Sequence, residues 1–92
     1  MTKNIEELFA IIDKRSKTKD INSYTSKLLK MGSKKIAQKI GEETTELIID
    51  YLKGSKKRTI EEAADVIYHL LVLLKSKKIT LKDINNELDK RK

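Results

Sequence analysis

The sequence predicts an all-α protein of four to five helices, and two observations support this. Its 92 residues include no proline and only three glycines, so very little interrupts a helix. Apolar residues recur at intervals of three and four instead of two, which is the spacing of one face of an α-helix. The length predicts one domain, residues 1–92. A domain this small buries a modest fraction of its surface and often gains stability from a partner subunit.

The first two predicted helices are separated by a polar connection. Helix one is expected over about residues 4–15, with Asn4 and Glu7 spaced as a capping box. The second is a short helix over Tyr24–Met31. It should end at Gly32, because glycine readily takes the left-handed conformation found after many helices.

The third predicted helix covers Ser33–Lys53 and ends at Gly54. Gly41 lies inside it, and an internal glycine costs roughly 1 kcal/mol relative to alanine. Either the close approach of a ligand or another helix, or ordinary tolerance, accounts for this glycine. The residues expected on the buried side of the helix are Ile36, Ile40, Leu47, Ile48, Tyr51 and Leu52.

The fourth predicted helix begins with a second capping box, Thr59 and Glu62, and continues to about Ser76. Its run Val66–Leu74 is apolar nearly all round. Such a helix is expected to be covered by its own domain on one side and by another subunit on the other. A last helix is predicted after it, capped by Thr80 and contacting the protein through Leu81, Ile84 and Leu88.

The amino-acid composition limits the compartments and binding partners expected for the protein. The absence of cysteine excludes disulfides and thiolate metal sites and favours the reducing cytoplasm. No segment resembles a signal peptide, and the longest apolar run, Leu70–Leu74, is far too short to span a membrane, so a soluble protein is expected. The net charge of +7 indicates nucleic acid or a polyanionic small molecule as partner. Basic residues flanking an acidic middle favour a phosphorylated small molecule, although a lysine-rich surface also serves solubility.

Two acidic clusters lie on neighbouring predicted helices. Glu42, Glu43 and Glu46 share one side of the third helix, because their spacings are one, three and four. Glu62 and Asp65 share a face of the fourth. Carboxylates converging from two antiparallel helices repel one another, so the pattern indicates a hard divalent cation between them. An all-oxygen ligand set favours Mg²⁺ or Mn²⁺ over Zn²⁺.

Each acidic residue also has a structural interpretation. The first cluster fits a solvated helix face, and Glu62 fits the third position of a capped helix. Asp65 has no such role, because it precedes an apolar run where burying it unpaired would cost several kcal/mol. His69, one turn later, could hydrogen-bond that carboxylate, contact a phosphate or be a satisfied core residue. Without a glycine-rich phosphate loop or a nucleophile with a partnered base, metal-assisted hydrolysis is the chemistry left.

Three longer stretches give the sequence a family resemblance. They read SYTSKLL at 23–29, KIGEE at 39–43 and EAADVIYHLLVLL at 62–74. The acidic spacing resembles the metal-binding signature of the MazG-like all-α nucleoside triphosphate pyrophosphohydrolases. The three stretches together resemble, more narrowly, the phosphoribosyl-ATP pyrophosphohydrolases of histidine biosynthesis, over about residues 5–91.

This resemblance implies Mg²⁺-dependent hydrolysis of N1-(5-phosphoribosyl)-ATP to N1-(5-phosphoribosyl)-AMP and pyrophosphate, the second step of histidine biosynthesis. It also implies a homodimer that packs through a helical bundle, and a separate cyclohydrolase that acts on the product. Glu42 would bind a further ion or help to activate the attacking water. The implied metal ligands are Glu43, Glu46, Glu62 and Asp65. The implied substrate-binding residues are Ser23, Tyr24, Thr25, Lys27, Lys39 and His69.

Two other functions remain open at this point. A MazG-like house-cleaning enzyme would use the same acidic site on surplus or modified nucleoside triphosphates, and the segment 23–29 and the basic flanks argue against it. A small basic helical protein that binds nucleic acid or a partner helix would show affinity that falls steeply with salt and would not need Mg²⁺. That function leaves Asp65 unexplained.

Overall fold

A computed structural model describes residues 3–18 and 22–92, and within these ranges the secondary structure consists of helices, with no strand. The predicted all-α class is confirmed. Part of the polar connection after the first helix, residues 19–21, lies outside the described residues. The helices are α1 (Lys3–Ser16), α2 (Tyr24–Met31), α3 (Ser33–Lys53), α4 (Lys56–Ser76) and α5 (Leu81–Asp89).

Both predicted capping boxes are wrong. Helix α1 already includes Lys3, so Asn4 lies inside the helix and is not its cap. The cap of α4 is Ser55, four residues before the predicted Thr59, and its hydroxyl accepts a hydrogen bond from the Arg58 N–H at 3.1 Å. Serine in this position satisfies a helix-end donor, and the lysines that follow are good helix formers.

The other predicted helix ends are confirmed. Gly32 separates α2 from α3 with a φ of +90°, a region that favours glycine. Thr80 caps α5 in a complete capping box with Asp83. Gly54 ends α3, and a Cβ there would lie 2.9 Å from the backbone Cα and carbonyl oxygen of Asp50, so the tight start of the connection to α4 favours glycine.

The core lies where α1, α2, α3 and α4 meet. Helices α3 and α4 form a hairpin joined by two residues and pack along one another, while α1 and α2 close over the half of the hairpin that is far from its turn. This arrangement positions the beginning of α2 against the middle of α4. The buried apolar residues are Ile12, Leu28, Ile36, Leu71, Val72 and Leu74.

The expected buried side of α3 is wrong in its second half. Ile36 is buried, and Ile40 and Leu47 are half-buried. Tyr51 and Leu52 are 75% and 69% exposed, and Ile48 is also exposed. The reason is geometric: this end of the hairpin extends past α1 and α2, so no other helix among the described residues covers it.

Helix α4 has one covered and one open apolar side. Leu71, Val72 and Leu74 face the core, whereas Ile67 and Leu70 are each 39% exposed. The two exposed residues line an apolar groove of about 220 Å³ that α5 and the start of α1 complete. Among the described residues, no helix combines the length and apolar character needed to cross a membrane.

Candidate metal and substrate site

Three carboxylates meet on the α3–α4 hairpin. Glu43 projects from α3, and Glu62 and Asp65 project from consecutive turns of α4. One ligand oxygen of each lies within 4.8 Å of the other two. The hairpin brings the three side chains together. Because α4 runs antiparallel to α3, residues near the turn lie opposite one another, as Asp50 and Arg58 do. Residues farther from the turn on the two helices lie opposite one another in the same way. We call Glu43, Glu62 and Asp65 the carboxylate cluster.

Two of these acids differ sharply in burial. Asp65, expected to be buried, is exposed, whereas Glu62 is only 5% exposed. Burial raises the pKa of the Glu62 carboxyl, and the neighbouring Glu43 raises it further, while Arg58 opposes the rise. Even beside Arg58, the surroundings of Glu62 therefore disfavour its charged form.

Glu42 and Glu46 lie on α3, the helix that carries Glu43, but outside the carboxylate cluster. Both are exposed. Glu42 accepts a hydrogen bond from the Gln38 amide at 3.1 Å and pairs with Lys39 at 3.5 Å. The bond from Gln38, followed by the charge of Lys39, lowers the pKa of Glu42. Glu42 is thus held in its ionised form at the edge of the cluster.

His69 is a buried residue whose ring nitrogens both have partners within the protein. Nδ1 lies 2.8 Å from the backbone carbonyl oxygen of Asp65, which can only accept. Nδ1 therefore carries the proton in the neutral ring, and Nε2 accepts from the Tyr24 hydroxyl at 3.1 Å. His69 thus bonds Asp65, as one interpretation of the sequence had it, but through the main chain and not the carboxylate.

The segment before and within α2 makes mainly structural contacts. The Ser23 hydroxyl caps α2 by accepting from the Ser26 N–H at 3.2 Å. The Thr25 hydroxyl is hydrogen-bonded to the phenol of Tyr68 on α4. Both Ser23 and Thr25 are buried. The site assignment from sequence omitted Tyr68, although it belongs to the stretch 62–74 that carries the family resemblance.

A groove of about 230 Å³ lies between α2 and α3, next to the carboxylate cluster. Lys39 links the two features, because its ammonium lies 4.0 Å from Glu43 of the cluster and its side chain lines the groove. Lys35 is a wall residue that sequence reasoning missed, although it lies one helical turn before Lys39. The residues lining the groove are Tyr24, Lys27, Leu28, Met31, Lys35, Gln38, Lys39 and Glu42.

A family model and several similar proteins each match this chain over nearly its whole length. A family model described as phosphoribosyl-ATP pyrophosphohydrolase matches residues 5–92. A phosphoribosyl-ATP pyrophosphatase of Sulfolobus acidocaldarius is 47% identical over 87 residues, which cover 95% of this chain and 92% of the relative. That of Clostridium novyi is 47% identical over 88 residues, 96% of this chain and 80% of the relative. A histidine biosynthesis bifunctional protein of Thermotoga maritima is 42% identical over 86 residues, 94% of this chain and 44% of the relative.

Proposed function

Because the chain belongs to the phosphoribosyl-ATP pyrophosphohydrolase family, we propose that it hydrolyses N1-(5-phosphoribosyl)-ATP to N1-(5-phosphoribosyl)-AMP and pyrophosphate in histidine biosynthesis. The observation that supports this best is the carboxylate cluster beside a groove lined by three lysines. A polyphosphate substrate needs both features, since cations must neutralise its charge while the acids bring in a metal.

The carboxylate cluster fits a divalent cation. Its donors are hard oxygens from three side chains, which suits Mg²⁺, with Mn²⁺ as a substitute. Glu62 Oε2 is buried and has no hydrogen-bond partner among the described residues, so an ion would supply the missing partner. We propose Glu43, Glu62 and Asp65 as ligands. Glu46, on the same helix as Glu43, is proposed as a fourth. When bound, the cation would polarise the phosphoryl oxygens and lower the pKa of a bound water.

The groove residues are proposed to hold the substrate. Lys27 and Lys39 would pair with its phosphates, and Lys39 is within reach of both the groove and the carboxylate cluster. The exposed ring of Tyr24 would contact the base or sugar. Ser23, Thr25 and His69 are buried, so we propose that they contribute by holding Tyr24 and α2 in place. Glu42 would bind a further ion or position the attacking water.

We also propose an oligomeric state, a domain organisation and a cellular location for the protein. Exposed apolar residues on the α3–α4 hairpin and in the groove beside α5 fit a homodimer that packs helix against helix. We propose residues 1–92 as a single domain of this activity, located in the cytoplasm. The product would pass to a cyclohydrolase activity.

The activity should require both the named substrate and a divalent cation. Pyrophosphate release is expected with phosphoribosyl-ATP and Mg²⁺, to stop in excess chelator and to return with Mg²⁺ or Mn²⁺, because the proposed ligands are all hard oxygens. ATP and dUTP serve as comparison substrates and should release little pyrophosphate. Full activity in excess chelator would contradict the metal site, and comparable turnover of dUTP would favour a house-cleaning enzyme instead.

Lys27→Ala should impair use of the substrate without disturbing the metal. Lys27 lines the groove but lies on α2, away from the carboxylate cluster. We expect kcat/KM for phosphoribosyl-ATP to fall about 10- to 100-fold, or about 1.4–2.7 kcal/mol, the scale of one charge-assisted contact. Mg²⁺ affinity, measured by calorimetry, should stay nearly the same. Lys30→Ala is the matched control, since Lys30 is an exposed lysine of the same helix that does not line the groove. Equal kcat/KM in the two variants would remove Lys27 from the site.

A further inference from the structure

We propose that Arg58 is a positioning residue for the cation site, whose guanidinium fixes Glu62 so that one carboxylate oxygen stays available to a divalent ion. This inference rests on the proposed function only in assuming that the carboxylate cluster binds such an ion. It concerns a residue outside the cluster, the groove and the three sequence stretches that carry the family resemblance.

Arg58 is held from three sides. Its Nη2 donates to Glu62 Oε1 at 2.5 Å, and its Nη1 donates to Glu61 Oε1 at 2.8 Å. Nη2 also lies 3.7 Å from Asp50 Oδ2 on α3. The guanidinium therefore bridges both helices of the hairpin, one helical turn from the carboxylate cluster. Asp50 is anchored in turn, because the Thr59 hydroxyl donates to its carbonyl oxygen at 3.1 Å.

The two oxygens of Glu62 have different surroundings. Oε1 pairs with Arg58, whereas Oε2 is buried and lacks a hydrogen-bond partner within the described part of the chain. A buried carboxylate oxygen left without a partner is costly, so an arrangement that keeps one oxygen unpaired needs a reason. A carboxylate that ligates a metal commonly has its other oxygen fixed by a hydrogen bond from a neighbouring group. Arg58 fills that role for Glu62.

The positive charge of Arg58 and its hydrogen bonds have opposite effects on the affinity of the carboxylate cluster for a divalent ion. A cation near the cluster repels an incoming divalent ion, so removing the charge alone would tighten metal binding. The guanidinium side chain is 51% exposed, which lets water and salt screen this repulsion. We therefore expect the loss of orientation to outweigh the loss of repulsion at an ionic strength near 0.15 M.

The variant Arg58→Lys separates the effect of orienting Glu62 from the effect of the positive charge. It keeps the positive charge but offers a single ammonium in place of the planar fork that reaches Glu61 and Glu62 together. If the fork matters, Arg58→Lys should bind the ion less well than the wild type. If only charge matters, Arg58→Lys should match the wild type and Arg58→Gln should bind more tightly.

The test is calorimetric titration of Mn²⁺ and Mg²⁺ into the wild type, Arg58→Gln, Arg58→Lys and Lys57→Gln, without substrate. Lys57→Gln is the matched control, since Lys57 is an exposed cation of the same helix turn. We expect the dissociation constant to rise about 10- to 100-fold in Arg58→Gln and by a smaller factor in Arg58→Lys, the range for residues that orient a metal ligand. Lys57→Gln should match the wild type. Circular dichroism in chelator establishes that each variant is folded.

Unchanged or tighter ion binding by folded Arg58→Gln would overturn the inference. Wild-type affinity in folded Arg58→Lys would overturn it equally, whether or not Arg58→Gln folds, because the planar fork would then be dispensable. Failure of the proposed function looks different, because the wild type itself would then bind neither ion, or would bind Mn²⁺ and yet not hydrolyse phosphoribosyl-ATP.

Discussion

Replacing Asp65 by asparagine is expected to lower kcat about 1,000-fold, at the upper end of the loss seen when one group that stabilises developing charge is removed. Asp65 is the exposed member of the carboxylate cluster, and asparagine keeps its shape while removing the charge that a divalent ion requires. Pyrophosphate release from phosphoribosyl-ATP measures the effect. Glu46→Ala should lose turnover in the same assay if Glu46 acts as the fourth ligand.

The metal-free stability of the Asp65→Asn variant separates a chemical role from a structural one. Two other carboxylates face Asp65, so removing its charge relieves repulsion, and the thermal midpoint in chelator should stay equal or rise. Asp89→Asn, a change at an exposed acid far along α5, is the matched control and should alter neither activity nor stability. A midpoint lower by about 4–8 °C, equivalent to about 1 kcal/mol, would instead mean that Asp65 supports the fold.

Leu70→Glu should abolish dimerisation. Leu70 is an outward-facing apolar residue of α4 in the groove shared with α5. If a second copy covers this groove, the variant places an unpaired charge in the interface, at a cost of about 3–5 kcal/mol. A two-fold symmetric dimer carries the change twice. Sedimentation at micromolar concentration should then show monomers or aggregates in place of the dimer.

The control for Leu70→Glu is Asn86→Glu, which adds the same charge to an exposed polar position of α5 outside the groove. That variant should sediment like the wild type. Circular dichroism should give equal helicity for both variants, because Leu70 is already partly exposed in the single chain. A wild-type protein that sediments as a monomer at micromolar concentration would contradict the proposed dimer.

The helices could be predicted from the sequence because their signals are local. Apolar spacing and the lack of proline predicted α2 and α3 with the bounds that the structure has. The start of α4 was wrong because Ser55 and Thr59 both match a helix cap, and only the hairpin geometry decides between them. With α4 beginning at Lys56, Thr59 lies in the first turns and its hydroxyl donates to backbone carbonyls.

Burial was predicted less well because it depends on what covers a helix face. Periodicity placed Tyr51 and Leu52 on an apolar side of α3, but none of the helices in the described part of the chain covers that end of the hairpin. The burial of Glu62 and the exposure of Asp65 have a similar cause, since the rotation of α4 against α3 is set by packing and not by local sequence. Arg58 could have been found, because it lies four residues before Glu62, the spacing of an ion pair on a helix.

The two-residue turn at Gly54 and Ser55 also affects how the site is assembled during folding. Glu43 and Glu62 are 62 − 43 = 19 positions apart, so the entropy lost in closing the loop between them is small. Tyr24 and His69, whose hydrogen bond holds α2 beside the groove, are 45 positions apart. Contacts of low sequence separation generally form early, so we expect the acids to meet before α2 docks. A partly folded chain can then expose a complete set of clustered acids to cellular cations before it has any means of selecting a nucleotide.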